Sequence, residues 1–254
     1  MVGVYSLFMK DSKDTCSYRN QDELLMCLEL SVKCARNYFD EISIYVCEHG
    51  DKIIDKTLFD RVVVVPYSEL TVKWKDKGLW FYAKAYAYQK EAELGNKFCH
   101  IDSDVFLLES PHNYLAEYPI GFQSDEHNKQ PFYEGIKGIL DYFGYDIPKN
   151  FYCAGIVYVN ELSIINEYTE KLLDIYPKID QFPLKGSIAH IYEQGLISRV
   201  AEAHGNVGVL FSERDVKKHV RKPPVRFVHL WGNAKLNPEN MVKVKNRLLN
   251  QNYF

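Results

Sequence analysis

The sequence predicts a single α/β domain built on a mixed, mainly parallel sheet flanked by helices. Apolar segments of strand length alternate with segments of helical periodicity from the first residue onwards, which is typical of successive strand–helix–strand units. A chain of 254 residues is long enough to bury a large core. Because it contains no Ser/Gly-rich linker, low-complexity tract or internal repeat, we expect one domain over residues 1–254.

The first hundred residues contain the clearest predicted elements. Strands are predicted at residues 2–8, 42–47, 61–66 and 98–101, which are rich in Val, Ile, Phe and Tyr. Apolar residues from Leu24 to Ala35 recur at helical spacing, and a short helix is expected near 51–58. A longer helix is predicted from Trp80 to Leu94, because Gly95 follows it and glycine is common just after a helix.

The pattern is less regular beyond residue 111. Aromatic residues alternate with Gly and Pro over 112–150, so we expect the sheet to be interrupted there. These Tyr and Phe rings could stack on carbohydrate in a surface cleft, or form core beneath an irregular loop. A strand at 151–159, helices at 161–175, 191–203 and 238–250, and a strand at 226–229 complete the prediction. We expect the chain to divide into residues 1–110, residues 111–235 and a basic C-terminal helix (236–254).

Charge and composition bound the location and partners of the protein. The net charge of −3 offers no broad attraction to nucleic acid or acidic membranes. Six cysteines form no C-x-x-C pair, so they are expected to be free thiols. The sequence shows neither a signal peptide nor an apolar run of about 18 residues, so a cytoplasmic protein is expected.

One stretch departs from this balance. Residues 213–247 hold ten Lys or Arg against three Asp or Glu. Such a stretch is either a solvated face or a surface for phosphates. The phosphates could belong to a nucleotide, to lipid headgroups in a peripheral membrane contact, or to a nucleic-acid acceptor.

Two carboxylates follow the fourth predicted strand. Asp102 and Asp104, in His-Ile-Asp-Ser-Asp, come directly after it, at the edge where open α/β sheets bind ligands. Carboxylate oxygens suit hard divalent cations that also bind substrate phosphates. The pattern indicates a clamp for a metal ion and a diphosphate, although Asp-Ser-Asp also occurs in ordinary turns.

A second motif follows the last predicted strand, where His229, Gly232 and Lys235 form H-x-x-G-x-x-K. Neutral imidazole is a ligand for metals such as Mn²⁺. Glycine allows close approach of the backbone, and lysine supplies a compact positive charge for phosphate. We therefore predict that His229 joins Asp102 and Asp104 around one divalent cation, Mn²⁺ or Mg²⁺.

These motifs resemble the GT-A glycosyltransferases, and most closely glycosyltransferase family 8, the retaining galactosyl- and glucosyltransferases that include glycogenin. That family has a strand ending in Asp-x-Asp, a strand with Asn/Ser-Ala/Ser-Gly-Val, an Asp-Gln pair on a helix, and a late His-x-x-Gly-x-x-Lys-Pro-Trp. The corresponding segments here, in the same order, are Asp102-Ser-Asp104, Cys153-Ala-Gly-Ile, Glu193-Gln194 and His229 to Lys235. The chain departs from the family pattern at Cys153, at Glu193 and after Lys235, where Leu-Asn replaces Pro-Trp.

The resemblance implies a GT-A (Rossmann-like) fold and a nucleotide-sugar donor, expected to be a UDP-hexose. Residues 1–110 would form its nucleotide-binding half, and residues 111–235 its acceptor and metal half. The residues that it places at the donor nucleotide and diphosphate are Ser6, Phe8, Lys84, Asp102, Gly232 and Lys235, and at the metal Asp102, Asp104 and His229. Glu193 and Gln194 would face the reacting sugar, and Asp125 would meet hydroxyls of the sugar or the acceptor. The acceptor would be a glycan, a glycolipid or a protein.

The resemblance also implies transfer with retention of the anomeric configuration. Gln194 is too weak a nucleophile for an obvious double displacement, so we expect same-face attack by the acceptor hydroxyl, with the leaving phosphate oxygen taking its proton.

Three other classes of protein remain to be weighed. A nucleotidyltransferase usually has a Gly-rich loop after its first strand, and Phe8-Met-Lys-Asp-Ser-Lys-Asp has no glycine. A phosphohydrolase would be expected to have more His and Asp clusters, and a non-catalytic nucleotide-sugar-binding protein stays open.

Overall fold

The computed structural model describes residues 1–9, 18–66, 68, 79–126, 133–175, 192–211, 226–230 and 237–250. The strands in these residues are β1 Val2–Leu7, β2 Glu41–Cys47, β3 Arg61–Val65, β4 Phe98–Ile101, β5 Val105–Leu107, β6 Ile120–Glu126, β7 Phe151–Val159, β8 Val207–Phe211 and β9 Phe227–His229. The helices are α1 Gln21–Ala35, α2 Glu48–Ile53, α3 Leu79–Glu93, α4 His112–Leu115, α5 Tyr133–Tyr142, α6 Leu162–Ile175, α7 Tyr192–Ala203 and α8 Pro238–Asn250, with a 3₁₀ turn at Lys56–Leu58.

Seven strands form one sheet in the order β3-β2-β1-β4-β7-β6-β8, and β5 pairs separately with β9. The strands β3, β2, β1 and β4 run parallel to one another, and β6 runs parallel to β8. Only the pairs that β7 makes with β4 and β6 are antiparallel within this sheet. The predicted α/β fold, a mixed and mainly parallel sheet flanked by helices in a single domain, is confirmed.

The parallel half of the sheet determines where ligands can bind. Strands β1, β2 and β4 are parallel, so their carboxyl ends lie at one edge of the sheet. The chain leaves β4 at Ile101 and enters Asp102 at this edge. Open α/β sheets bind ligands at such an edge, so the topology places the Asp-x-Asp segment where a ligand is expected.

The helices beside these strands begin and end where the sequence indicates. Asn20 caps α1, since its side-chain oxygen accepts a hydrogen bond from the backbone N–H of Glu23. Helix α3 stops two residues before Gly95, which has a φ of 74° that favours glycine. Helix α3 packs against β1 and β2, and this holds Lys84 over the carboxyl ends of the strands. Among the described helices, none combines the length and apolarity needed to cross a membrane.

The expected interruption of the sheet over 112–150 is wrong for residues 120–126. These residues form β6, which is hydrogen bonded to β7 on one side and β8 on the other. Two of the aromatic residues in this region, Phe122 and Tyr133, are fully buried and belong to the core, whereas Tyr142 is exposed. The glycine in β6 has a packing reason, because a Cβ at Gly121 would lie 2.8 Å from Leu115 of α4.

Candidate metal centre

The pairing of two short strands brings the late histidine to the acidic pair. Strands β5 and β9 are antiparallel, with Val105 opposite His229. The backbone N–H of Leu230 donates to the carbonyl oxygen of Asp104 at 3.1 Å. The register of this pair therefore places the imidazole next to the carboxylate that precedes β5.

Asp102, Asp104 and His229 form one cluster. A ligand atom from each of the three lies within 4.8 Å of those of the other two. Nε2 of His229 is 3.4 Å from Oδ1 of Asp104, whose side chain is buried. The three residues predicted to converge are thus brought together, and two carboxylates with one imidazole are a donor set that suits a divalent cation such as Mn²⁺.

The turn that carries the acidic pair is fixed by its backbone. The N–H of Asp102 donates to the carbonyl oxygen of Gly155 at 2.9 Å, and the N–H of Val105 donates to the carbonyl oxygen of Asp102 at 3.0 Å. The hydroxyl of Tyr18, a buried residue before α1, is 3.1 Å from Oγ of Ser103. These contacts limit the freedom of the turn and hold both carboxylates at the sheet edge.

Lys84 lies against the first carboxylate. Its Nζ is 2.7 Å from Oδ1 of Asp102 and donates to the carbonyl oxygen of Ala154 at 3.3 Å. Burial raises the pKa of the Asp102 carboxyl, and the charge of Lys84 acts against this rise. Lys84, the helix lysine predicted at the donor, therefore lies beside the cluster and is ion-paired with Asp102.

His100 links the end of β1 to the carboxylate of Asp102. Oγ of Ser6 is hydrogen bonded to Nε2 of His100 at 2.9 Å, and Nδ1 of His100 is 3.9 Å from Oδ1 of Asp102. Burial lowers the pKa of His100 well below its usual range, so its imidazole is neutral. Ser6 thus lies at the edge where the resemblance places it, whereas Phe8 is 3% exposed and packs in the core.

Close packing explains the glycine at position 155 in β7. A Cβ on Gly155 would lie 2.4 Å from Oε1 of Gln123 and 2.9 Å from Cε1 of His229. Contacts under 3.0 Å would force one of these groups to move. Glycine at this position therefore leaves room for both the amide of Gln123 and the imidazole of His229.

The predicted sugar-facing residues separate into two groups. Nε2 of Gln194 donates to the hydroxyl of Tyr133 at 3.0 Å, and this hydroxyl donates to the carboxylate of Glu126. Glu126 is paired opposite Phe151, and Asp125 opposite Tyr152. Because successive residues of a strand point to opposite faces, Glu126 and not Asp125 shares a face with Gln194 and Tyr133.

Three predicted site residues cannot be placed. Gly232 and Lys235 lie outside the described residues, and only the backbone of Glu193, in α7, is described. Within the basic stretch, Lys243 and Lys245 are exposed on α8. Most of the other basic residues in this stretch fall outside the described part of the chain.

The sequence did not predict several residues that contact the turn, the cluster or Gln194. Tyr18 lies next to a segment that carries no motif, and Glu126 and Tyr133 lie in the region interpreted as irregular. Gln123 is buried beside Gly155, and only the three-dimensional packing reveals it. The apolar residues Ile120 and Phe122, two positions apart, are the one sequence signal for β6, since residues 123–126 form a polar run.

Comparisons with known proteins agree with this fold. Residues 4–253 match the profile of a family described as "Family of unknown function (DUF6734)". No curated protein matches the chain. Mouse xyloside xylosyltransferase 1, solved in its apo form, is similar in structure, with a TM-score of 0.51 and 11% sequence identity over 90% of this chain and 97% of that chain. At this identity the likeness shows a glycosyltransferase-like, GT-A-like fold.

Proposed function

The chain belongs to the family described as DUF6734, and we propose that it is a metal-dependent glycosyltransferase that uses a nucleotide-sugar donor. The observation that carries this proposal is the convergence of Asp102, Asp104 and His229 within 4.8 Å at the carboxyl edge of a mainly parallel sheet. The glycosyltransferase-like fold supports it independently, because open α/β sheets bind ligands at that edge.

The three clustered residues would hold one divalent cation. Their oxygen and nitrogen ligands suit Mn²⁺, and Mg²⁺ is the alternative with a stronger preference for oxygen. Bound there, the cation would supply positive charge to stabilise the diphosphate leaving group. The ammonium of Lys84, 2.7 Å from Oδ1 of Asp102, opposes the rise that burial causes in the pKa of this carboxyl and so favours its ionised form.

The proposed reaction replaces one bond to the anomeric carbon by another. The bond from C1 to the phosphate oxygen breaks, and its electron pair leaves with the nucleoside diphosphate. The acceptor hydroxyl oxygen bonds to C1 and gives its proton to that phosphate oxygen. We propose same-face attack and retention, because the amide of Gln194 is a poor nucleophile and is engaged with the hydroxyl of Tyr133.

The donor we propose is a UDP-hexose, which follows from the resemblance of the four ordered motifs to glycosyltransferase family 8. For the acceptor we propose a hydroxyl of a glycan, a glycolipid or a protein. The exposed Lys243 and Lys245 of α8 favour an acceptor that carries phosphate or lies at an anionic membrane surface. The phosphates of a nucleic-acid acceptor could bind the same two lysines.

A donor screen tests the proposal. Purified protein with Mn²⁺ is incubated with a panel of UDP- and GDP-sugars, and free nucleoside diphosphate is measured. We expect release from a UDP-hexose, loss of release in excess EDTA and recovery when Mn²⁺ is restored. Release that persists unchanged in EDTA would contradict metal dependence. Formation of nucleoside triphosphate from sugar nucleotide and pyrophosphate would instead identify a nucleotidyltransferase.

A further inference from the structure

Gln123 is a fully buried amide in β6 whose polar atoms lack partners. Its side chain is 0% exposed, and neither Oε1 nor Nε2 is hydrogen bonded to any residue in the described part of the chain. Most buried polar groups in proteins are hydrogen bonded, so an unpartnered one calls for an explanation. A core position of this kind would be filled better by an apolar residue if packing were its only role.

The position of Gln123 suggests which group it serves. It lies at the irregular register between Phe122 and Ser124, where β6 departs from regular pairing with β7. The point that a Cβ of Gly155 would occupy is 2.4 Å from Oε1 of Gln123 and 3.2 Å from Nδ1 of His229. The amide oxygen and the Nδ1 side of the imidazole therefore border the same small space above Gly155.

The opposite side of the imidazole faces the acidic pair. Nε2 of His229 is the ring nitrogen that lies 3.4 Å from Oδ1 of Asp104. A neutral histidine that binds a cation through Nε2 must carry its proton on Nδ1. Metal-binding histidines generally donate this second N–H to an oxygen acceptor, which fixes the tautomer and the orientation of the ring.

We propose that Gln123 is a positioning residue for His229, with its Oε1 accepting a hydrogen bond from Nδ1–H when a cation is bound. The proposal rests on the metal-dependent function given above. It requires a rotation of the amide about its own side chain, and the missing Cβ of Gly155 leaves the path between the two groups open. Because both amide atoms are buried, Gln123 acts through His229 and does not touch the donor sugar.

Two substitutions of the full-length chain separate this role from a structural one. Q123M keeps the length of the side chain and removes the acceptor oxygen. Q123E keeps an acceptor oxygen at the same reach. Mn²⁺ affinity is measured for the wild-type chain and both variants by isothermal titration calorimetry, and thermal unfolding is measured without metal. The Michaelis constant for the donor is then determined at saturating Mn²⁺.

We expect Q123M to bind Mn²⁺ roughly 10- to 100-fold more weakly, as for other losses of a ligand-orienting partner. Its thermal midpoint without metal should not fall, since the substitution removes an unpartnered buried amide. Q123E should bind Mn²⁺ no more than about threefold more weakly than the wild-type chain, because its carboxylate still accepts from Nδ1–H and adds a negative charge near the cation.

Three outcomes would overturn the inference. They are equal Mn²⁺ affinity in Q123M and wild type, loss of affinity in Q123E as large as that in Q123M, and a changed Michaelis constant for the donor with unchanged Mn²⁺ affinity. If Q123M does not fold, a clear loss of Mn²⁺ affinity in Q123E would still overturn the inference. Failure of the wild-type chain to bind Mn²⁺ at all would instead overturn the proposed function, so the two failures are distinguishable.

Discussion

Nε2 of His229 lies 3.4 Å from Oδ1 of Asp104, although more than a hundred residues separate the two along the chain. Two strands of three residues each produce this relationship, because their register sets Val105 opposite His229. The candidate metal centre therefore depends on a small antiparallel pair that lies outside the main sheet. The predictions below test what each part of that arrangement contributes.

Asp104→Asn should remove most of the activity while the fold is kept. The amide has nearly the same shape as the carboxylate but lacks the charge that binds a divalent cation. We expect kcat/KM for nucleotide release to fall at least about 100-fold, equivalent to roughly 2.7 kcal/mol of barrier. Asp141→Asn, at an exposed position of α5, is the matched control and should leave kcat/KM unchanged. Equal kcat/KM values for the two variants would show that Asp104 is not a ligand of the metal.

Lys84→Met should impair the enzyme through Asp102. The substitution retains most of the packing of the lysine stem and removes the ammonium 2.7 Å from Oδ1 of Asp102. We expect a fall in kcat/KM of roughly 10- to 100-fold, because the carboxylate loses its partner beside a second negative charge. Lys90→Met on the same helix removes a surface ion pair with Glu93 and serves as the control. An unaffected Lys84→Met variant would show that the ion pair is dispensable.

Gly155→Ala should displace the imidazole. The new Cβ would lie 2.4 Å from Oε1 of Gln123 and 2.9 Å from Cε1 of His229. Overpacking of this kind typically lowers the free energy of unfolding by about 1–3 kcal/mol. Mn²⁺ affinity should fall as well, because His229 must move away from Asp104. Gly50→Ala is the control, because its new Cβ would lie 3.4 Å from the nearest atoms. Chemical denaturation and Mn²⁺ titration of this variant should both give wild-type values.

Tyr133→Phe should weaken the link between β6 and α7. The phenol of Tyr133 accepts from Gln194 and donates to Glu126, and its ring stacks on Phe151 with centroids 4.1 Å apart. Phenylalanine keeps the stacking and loses the hydrogen bonds, so we expect a loss of about 0.5–1.5 kcal/mol in the free energy of unfolding. Tyr142→Phe on the same helix is exposed and should be neutral. An unchanged free energy of unfolding in Tyr133→Phe would mean that water replaces the hydrogen bonds of the hydroxyl.

The sequence was sufficient for the elements with strong periodicity. The apolar run before Asp102, the helix that ends before Gly95 and the strand around Gly155 all lie where local patterns predict them. The joint position of Asp102, Asp104 and His229 was predictable because motif order and the carboxyl-edge rule both constrain it. The ligand role of the cluster stays a prediction.

Other features depend on contacts that a local pattern does not encode. Strand β6 contains Gln123, Ser124, Asp125 and Glu126, a polar run that favours a loop locally. Pairing with β7 and β8 on both sides stabilises it as a strand. The same pairing decides that Glu126, and not the predicted Asp125, shares a face with Tyr133. Phe8 follows β1 directly, yet it packs in the core, whereas Ser6 reaches His100.

The most direct test of the account is the position of a bound cation. A crystal of the protein soaked with Mn²⁺ and UDP would be examined by anomalous diffraction at the manganese edge. We predict a single strong peak bounded by a carboxylate oxygen of Asp102, a carboxylate oxygen of Asp104 and Nε2 of His229. A peak elsewhere, or no peak at this cluster with the imidazole turned away from Asp104, would contradict the central claim.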